Sequence, residues 1–230
     1  SVIVLDEIQS YRNEIWSEII WFLKGFAKLL NMKVVIMSAT LPDLEFLTDQ
    51  QTGTVKLMED PQKYFKHDRF CKRVVADDSL LQSEITMDML VQHVCSHTNN
   101  QKKIIVEFIR KKRAEEFYNM IVPVSSVEVM LMTGDNSIAE RKRIIRKLDQ
   151  INSVILVATQ VIEAGVDIDM DIGYKDIYKL DSEEQFIGRI NRSCKKEGIV
   201  FFFDLDKADT IYGRDLRIDA DFTLKNEDMW

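Results

Sequence analysis

Four clusters of residues have types and spacing suited to chemistry. Asp6-Glu7-Ile8-Gln9 follows the apolar run Val2 to Leu5. Two adjacent acids at the carboxyl end of a buried strand are costly unless they hold a cation. One can hold Mg²⁺ on nucleotide phosphates while the other orients or deprotonates a water. The same pair could instead simply open a helix. Ser38-Ala39-Thr40-Leu41-Pro42 follows the next apolar run. Its hydroxyls can hydrogen-bond acids on a neighbouring strand end, or Ser38 or Thr40 can cap the helix that Pro42 enters.

The third cluster runs from Ala158 to Asp169, Ala-Thr-Gln-Val-Ile-Glu-Ala-Gly-Val-Asp-Ile-Asp. A strand ending in Thr159-Gln160, then a short helix and Gly165, can offer N–H and hydroxyl groups to phosphates. Asp167 is placed to meet a ribose hydroxyl. The bland alternative is a strand–turn–helix with a glycine C-cap. The fourth cluster is Gln185-Phe186-Ile187-Gly188-Arg189-Ile190-Asn191-Arg192. On a helix, Arg189 and Arg192 would share a face. Two guanidiniums there suit a polyphosphate, and an arginine finger stabilises transition-state charge.

Alternating apolar runs and helical periodicity position these clusters. Strands are predicted at Val2 to Leu5, Lys33 to Met37, Arg73 to Ala76, Lys103 to Phe108, Val127 to Met132, Ser153 to Ala158, near Ile177, and at Ile199 to Phe203. Helices are predicted at Asn13 to Leu30, Leu81 to His97, Lys111 to Ile121, Ile138 to Leu148 and Ser182 to Ile190, with a short one from Pro42. In the first, Ile15, Ile19, Phe22, Phe26 and Leu29 form the apolar side. Continuous apolar strands alternating with helices imply parallel sheets covered on both faces, with chemistry at the strand ends. Residues 1–60 hold two clear strands, half a domain; 61–212 read as a complete α/β domain; 213–230 begin an accessory or tail segment.

Composition narrows the function classes. No apolar run approaches a membrane span, and no basic n-region marks a signal peptide. Three scattered cysteines, Cys71, Cys95 and Cys194, fit a reducing cytoplasm and form no zinc-type pair. The net charge of −7 speaks against nucleic acid, but its distribution does not. Lys102 to Lys147 carries 11 Lys/Arg against 6 Asp/Glu, whereas Asp204 to Trp230 carries 8 acidic and 4 basic residues. A basic middle can hold a phosphate backbone locally. Alternatively, Arg141, Lys142, Arg143, Arg146 and Lys147 are one solvated helix face. His67-Asp68 lacks the further ligands of a nuclease metal site, and His93 and His97 read as a solvated helix face.

In order, spacing and wording, these clusters resemble motifs II, III, V and VI of the superfamily 2 helicases, over nearly the whole chain. Asp-Glu-Ile-Gln, Ser-Ala-Thr-Leu-Pro and the long third phrase are most similar to the CRISPR-associated DExD/H helicase–nuclease family. The resemblance implies two RecA-like domains, the first truncated, with ATP in the cleft between them. It implies Mg²⁺ at Asp6, a base at Glu7, fingers at Arg189 and Arg192, and nucleotide contacts at Gln9, Gly165, Asp167 and Gln185. It further implies coupling or nucleic-acid contacts at Ser38, Thr40, Thr133, Gly134, Thr159 and Gln160. The implied partners are single-stranded DNA, a crRNA-guided surveillance complex, and an HD nuclease domain in the same or another chain. Two departures stand out. The usual Gln-Arg of motif VI is Gln185-Phe186, and no G-x-x-x-x-G-K-[ST] loop occurs, so the chain alone is expected to hydrolyse ATP negligibly. Thr133-Gly134-Asp135 resembles the equivalent RNA-helicase loop as well. A general superfamily 2 RNA helicase and a non-catalytic motor-like binding module are therefore the alternatives.

Overall fold

The computed structural model describes residues 1–8, 15–38, 55–58, 60, 62–98, 101–162, 166–207, 211 and 224. It divides into two compact units, Ser1–Pro61 and Gln62–Trp230. The architecture is α/β with parallel sheets, as the alternation of apolar strands and helices predicts.

In the first unit, β1 (Val2–Asp6) and β2 (Lys33–Met37) pair in parallel, with α1 (Trp16–Leu29) as their connection. Two sequence expectations are corrected here. Val2, Ile3 and Val4 are exposed rather than buried, because two strands and one helix cannot cover both faces of this ribbon. The inward stripe of α1 is Trp16 and Ile20, not Ile15, Phe22, Phe26 and Leu29, all of which are exposed. The helix is apolar on two sides, and only one of them meets the sheet.

The second unit contains α2 (Gln62–Phe65), α3 (Asp68–Cys71), β3 (Val74–Asp77), α4 (Met87–Ser96), β4 (Lys103–Glu107), α5 (Lys111–Ile121) and β5 (Glu128–Met132). It continues with α6 (Ile138–Gln150), β6 (Val154–Ala158), a 3₁₀ turn at Gln160–Ile162, β7 (Ile172–Asp176), α7 (Leu180–Ile187) and β8 (Gly198–Phe203). The six strands are all parallel, in the order β3-β8-β7-β4-β6-β5. β4 and β6 are almost wholly buried, which is why β6 and the Ile104–Val106 centre of β4 are apolar throughout. One core layer packs α4 and α5 on the sheet around Tyr174, Phe108 and Phe117. The opposite layer gathers Phe186, Ile190 and Phe202.

Three boundaries differ from expectation for local reasons. The helix expected from Leu81 starts at Met87, because the Thr86 hydroxyl accepts the Met89 N–H at 3.3 Å and caps it. The strand expected near Ile177 is Ile172–Asp176. The helix expected to reach Ile190 stops at Ile187, because Ile190 instead bridges in parallel to Met170. His93 and His97 are not a solvated face. Each Nδ1 lies 2.9 Å from the Tyr174 hydroxyl, and their rings pack on Phe201. Burial, with His97 beside it, holds His93 below the ordinary imidazole range.

Charged groups are buried where β4, β7 and α7 meet. Lys175 (1% exposed) pairs with Glu107 (0%) and lies over the Tyr178 ring at 4.7 Å. Glu183 (2%) accepts the N–H groups of Tyr178 at 2.8 Å and Lys179 at 3.2 Å. Burial pushes the Glu183 carboxyl up to about 7, although Lys175 opposes the rise. Asp176 is raised well above the usual carboxylate range by burial and by the nearby Asp206. Asp206 in turn takes the Arg110 N–H at 2.8 Å.

Two outcomes follow from this packing. An added Cβ at Gly173 would sit 2.6 Å from Phe186 Cε1 and 3.0 Å from Ile190 Cδ1. Gly173→Ala is therefore expected to cost about 1–3 kcal/mol in urea unfolding. Glu183 has a raised folded-state pKa, so the folded chain holds a proton that the unfolded chain has lost. This contribution is fully present below the ordinary glutamate range and disappears as pH climbs to about 7. Unfolding free energy should fall over that window, by at most about 1.4 kcal/mol per pH unit for this proton. Glu183→Gln should flatten the fall, as read from urea curves at several pH values.

Candidate functional site

The first unit brings Asp6, Glu7 and Ser38 to one edge. Asp6 ends β1 opposite Met37 in register, and Ser38 follows Met37 directly. The Glu7 N–H donates to the Met37 carbonyl at 3.1 Å and to Asp6 Oδ1 at 2.9 Å. Glu7 has φ 56°, a left-handed conformation that an L-residue adopts at a cost of about 1–2 kcal/mol. Ile8 is buried immediately after it. The backbone thus turns sharply at the acids and leaves both carboxylates at the surface. Hard oxygen donors at a strand end fit Mg²⁺. Among the described residues no group of three or more His, Cys, Asp or Glu could hold a metal, so nucleotide phosphates and waters would complete any such coordination. Gln9 and Thr40 lie outside the described residues.

In the second unit, one edge is formed where the strands end. Thr133 follows β5 and Thr159 follows β6, and the Thr159 N–H donates to the Met132 carbonyl at 3.3 Å. Both threonines are buried, and half-buried Gln160 begins the 3₁₀ turn. The Thr133 N–H donates to Asn136 Oδ1 at 2.8 Å, which closes the loop around exposed Gly134. Arg141 folds back on that loop, with Nη2 donating to the Gly134 carbonyl at 2.9 Å and Nε to the Asn136 carbonyl at 3.0 Å. Lys111 pairs with Asp135 at the same edge. Part of the basic helix thus serves its own loop. Lys142, Arg143 and Arg146 remain exposed, while Lys147 pairs with Glu128.

Asp167, Arg189 and Arg192 lie at the opposite edge, where the strands begin. Arg192 Nε lies 3.3 Å from Asp167 Oδ1. Arg189 Nε donates to the Ile162 carbonyl at 3.2 Å. The expected shared helical face for these arginines is corrected. α7 ends before them, and Asn191 turns the chain with φ 43°. Asp169 captures the N–H groups of Arg192 at 2.8 Å and Ser193 at 3.2 Å. Arg73 donates to the carbonyls of Ile190 at 3.1 Å and Ile187 at 3.3 Å, a cation at the helix C-terminus. Gln185 is half-buried on α7 itself. Phe186 is buried against the sheet, so that position offers no outward basic contact. Gly165 lies outside the described residues.

Sequence reasoning assigned no role to Arg73, Asn191 or Asp169. Asn191 and Asp169 stand inside the quoted phrases, and an Asn suits a left-handed turn. Arg73 carries no local signal, since its partners lie more than 100 residues away.

The family model described as "CRISPR-associated nuclease/helicase Cas3, C-terminal" matches residues 99–195. The CRISPR-associated nuclease/helicase Cas3 of Methanothermobacter thermautotrophicus is 26% identical over 220 residues, covering 89% of this chain and 26% of that protein. This chain therefore spans about a quarter of its relative's length. Among solved structures, T. fusca Cas3 with AMPPNP superposes with a TM-score of 0.67 at 14% identity, covering 92% of this chain and 31% of that one. The DUF1998 helicase MrfA, bound to DNA and AMPPNP, superposes with a TM-score of 0.64 at 19% identity, covering 93% and 32%. Both likenesses are to RecA-like helicase folds. The sequence matches and the fold together make the chain similar to part of the CRISPR-associated nuclease/helicase Cas3, in a RecA-like fold.

Proposed function

We propose that this segment works in an ATP-dependent DNA helicase or translocase of CRISPR interference, coupling hydrolysis to movement on single-stranded DNA for target degradation. The observation that carries the reading is the arrangement of the second unit. One parallel sheet holds Thr133, Gly134, Thr159 and Gln160 at its strand ends, and Asp167, Arg189 and Arg192 at its strand starts. The first group would meet a strand along this edge, where Gly134 is exposed and Gln160 half-buried, with Lys111 and Arg141 engaged on the same loop. The second offers guanidiniums to polyphosphate.

Asp6 would hold Mg²⁺, which when bound neutralises charge on the phosphates. Glu7 would take the proton of the attacking water. Ser38 and Thr40 would couple the acid pair to the nucleic acid. Gln9, Gly165, Asp167 and Gln185 would contact nucleotide, and Asp167 already orients Arg192. The nucleotide and DNA held by the compared helicases support both ligand assignments. A crRNA-guided surveillance complex would recruit the motor in the cytoplasm, and an HD nuclease domain would receive the strand.

The 230 residues contain no phosphate loop, so the reading needs one from a further segment or chain. This chain by itself should hydrolyse ATP negligibly; robust turnover that Glu7→Gln abolishes would overturn that expectation. The native polypeptide containing the segment, given Mg²⁺, is expected to hydrolyse ATP with strong stimulation by single-stranded DNA and not by RNA. There, Glu7→Gln should lower turnover at least about 100-fold. Stimulation by RNA alone would make the protein an RNA helicase, and hydrolysis by neither would leave a binding module.

A further inference from the structure

A lysine ammonium in a dry interior is expensive, and a matched hydrophobic pair is often as stable as a buried ion pair or more so. Lys175 is nonetheless among the largest fully buried side chains, and it is held by Glu107 and by the faces of Tyr178 and Phe186. What the charges supply is direction. Glu107 ends β4, in register with Ala158 of β6 on one side and Lys175 of β7 on the other. Thr159 follows Ala158 directly. Glu183 sits one turn inside α7 and reaches back to the amides of Tyr178 and Lys179, the two residues that lead into the helix. Its Oε2 is buried with no hydrogen-bond partner among the described residues.

The other end of α7 is fastened separately. Arg73 binds the carbonyls of Ile187 and Ile190, and Asp169 binds the amides of Arg192 and Ser193. The helix is therefore a short rod, roughly 12 Å long by its eight residues, anchored by charge at its start and by the arginine-bearing turn at its finish.

We propose that Lys175, Glu107 and Glu183 are positioning residues, which fix α7 against the strand end carrying Thr159 and thereby set where Arg189 and Arg192 stand during ATP turnover. This rests on the proposed motor function. Neither the family motifs nor the sequence matches assign these three residues a role. Glu183 stands two positions before Gln185, where motif VI opens, and Lys175 lies five residues before Leu180, where α7 begins.

The test uses the native polypeptide containing this segment. Removing Lys175 alone would strand a buried carboxylate and could unfold the protein. The informative variant is therefore Glu107→Leu with Lys175→Met, which keeps volume and removes both charges. It is expected to melt at or above the temperature of the unsubstituted protein. Its DNA-stimulated kcat should fall at least about 10-fold, with the KM for ATP within about 2-fold, because misplaced groups act in the transition state rather than in binding. Amide exchange over residues 178–192 should quicken while β4 and β6 stay protected. A well-folded double variant with unchanged kcat would overturn the positioning role and leave the motor assignment intact. An unsubstituted protein that hydrolyses no ATP with DNA would overturn both.

Discussion

Parallel pairing is the constraint on which the second unit depends. Each strand must be re-entered from the same end, so every connection has to cross the sheet from strand ends to strand starts. The segment from Thr159 to Asp171 makes one such crossing, and α7 with its turn makes the next. Both quoted phrases of the second unit are therefore crossings rather than loops on one edge. Each carries a polar group at its outset and charged groups at its finish. The two crossings meet where Met170 bridges Ile190 and the Arg189 guanidinium holds the Ile162 carbonyl. These two neighbouring connections are hydrogen-bonded to each other, so a displacement at one strand end has a direct route to the arginines.

Helix propensity does not place the arginines; backbone capture does. α7 closes at Ile187, and the chain then turns through a left-handed asparagine. Three charged side chains hold that turn: Arg73 from before β3, Asp169 from before β7, and Asp167 through Arg192 itself. The Asp167–Arg192 pair is solvent-exposed, so screening leaves it worth well under about 1 kcal/mol. It orients the guanidinium without tying it down. An anion of higher charge can displace Asp167, as the proposed polyphosphate role of Arg192 requires.

Much of this was legible because the local signals are strong. The apolar runs of β4, β6 and β8 specify buried parallel strands, and Ser137 with Glu140 forms the capping box that starts α6. Long-range partners were not legible. Leu81 to Thr86 carries helix-like spacing, yet the Thr86 cap decides the start of α4. His93 and His97 look surface-like by type. Only the placement of Tyr174 and Phe201 on β7 and β8 shows that their helix face is covered. Arg189 and Arg192 have helical spacing, but an isolated bridge at Ile190 overrides it. The Thr86 cap is local, whereas for the histidines and the arginines a tertiary contact outweighs a preference worth a few tenths of a kcal/mol per residue.

The acids of the first unit pose the complementary problem. Their spacing from Ser38 is readable, but the strained backbone is not. Glu7 adopts φ 56° with a side chain that gains nothing intrinsically from that region, and its N–H is held by Met37 and Asp6. Strain persists only where neighbours over-determine it, and it concentrates at functional positions. The buried Ile8 side chain and the Met37 carbonyl supply that over-determination here. The N–H contact to Asp6 Oδ1 orients one carboxylate at the strand end, and both acids are exposed there. A helix-opening acid pair needs no such turn. The left-handed backbone at Glu7 therefore favours the cation- and water-handling reading over the bland one.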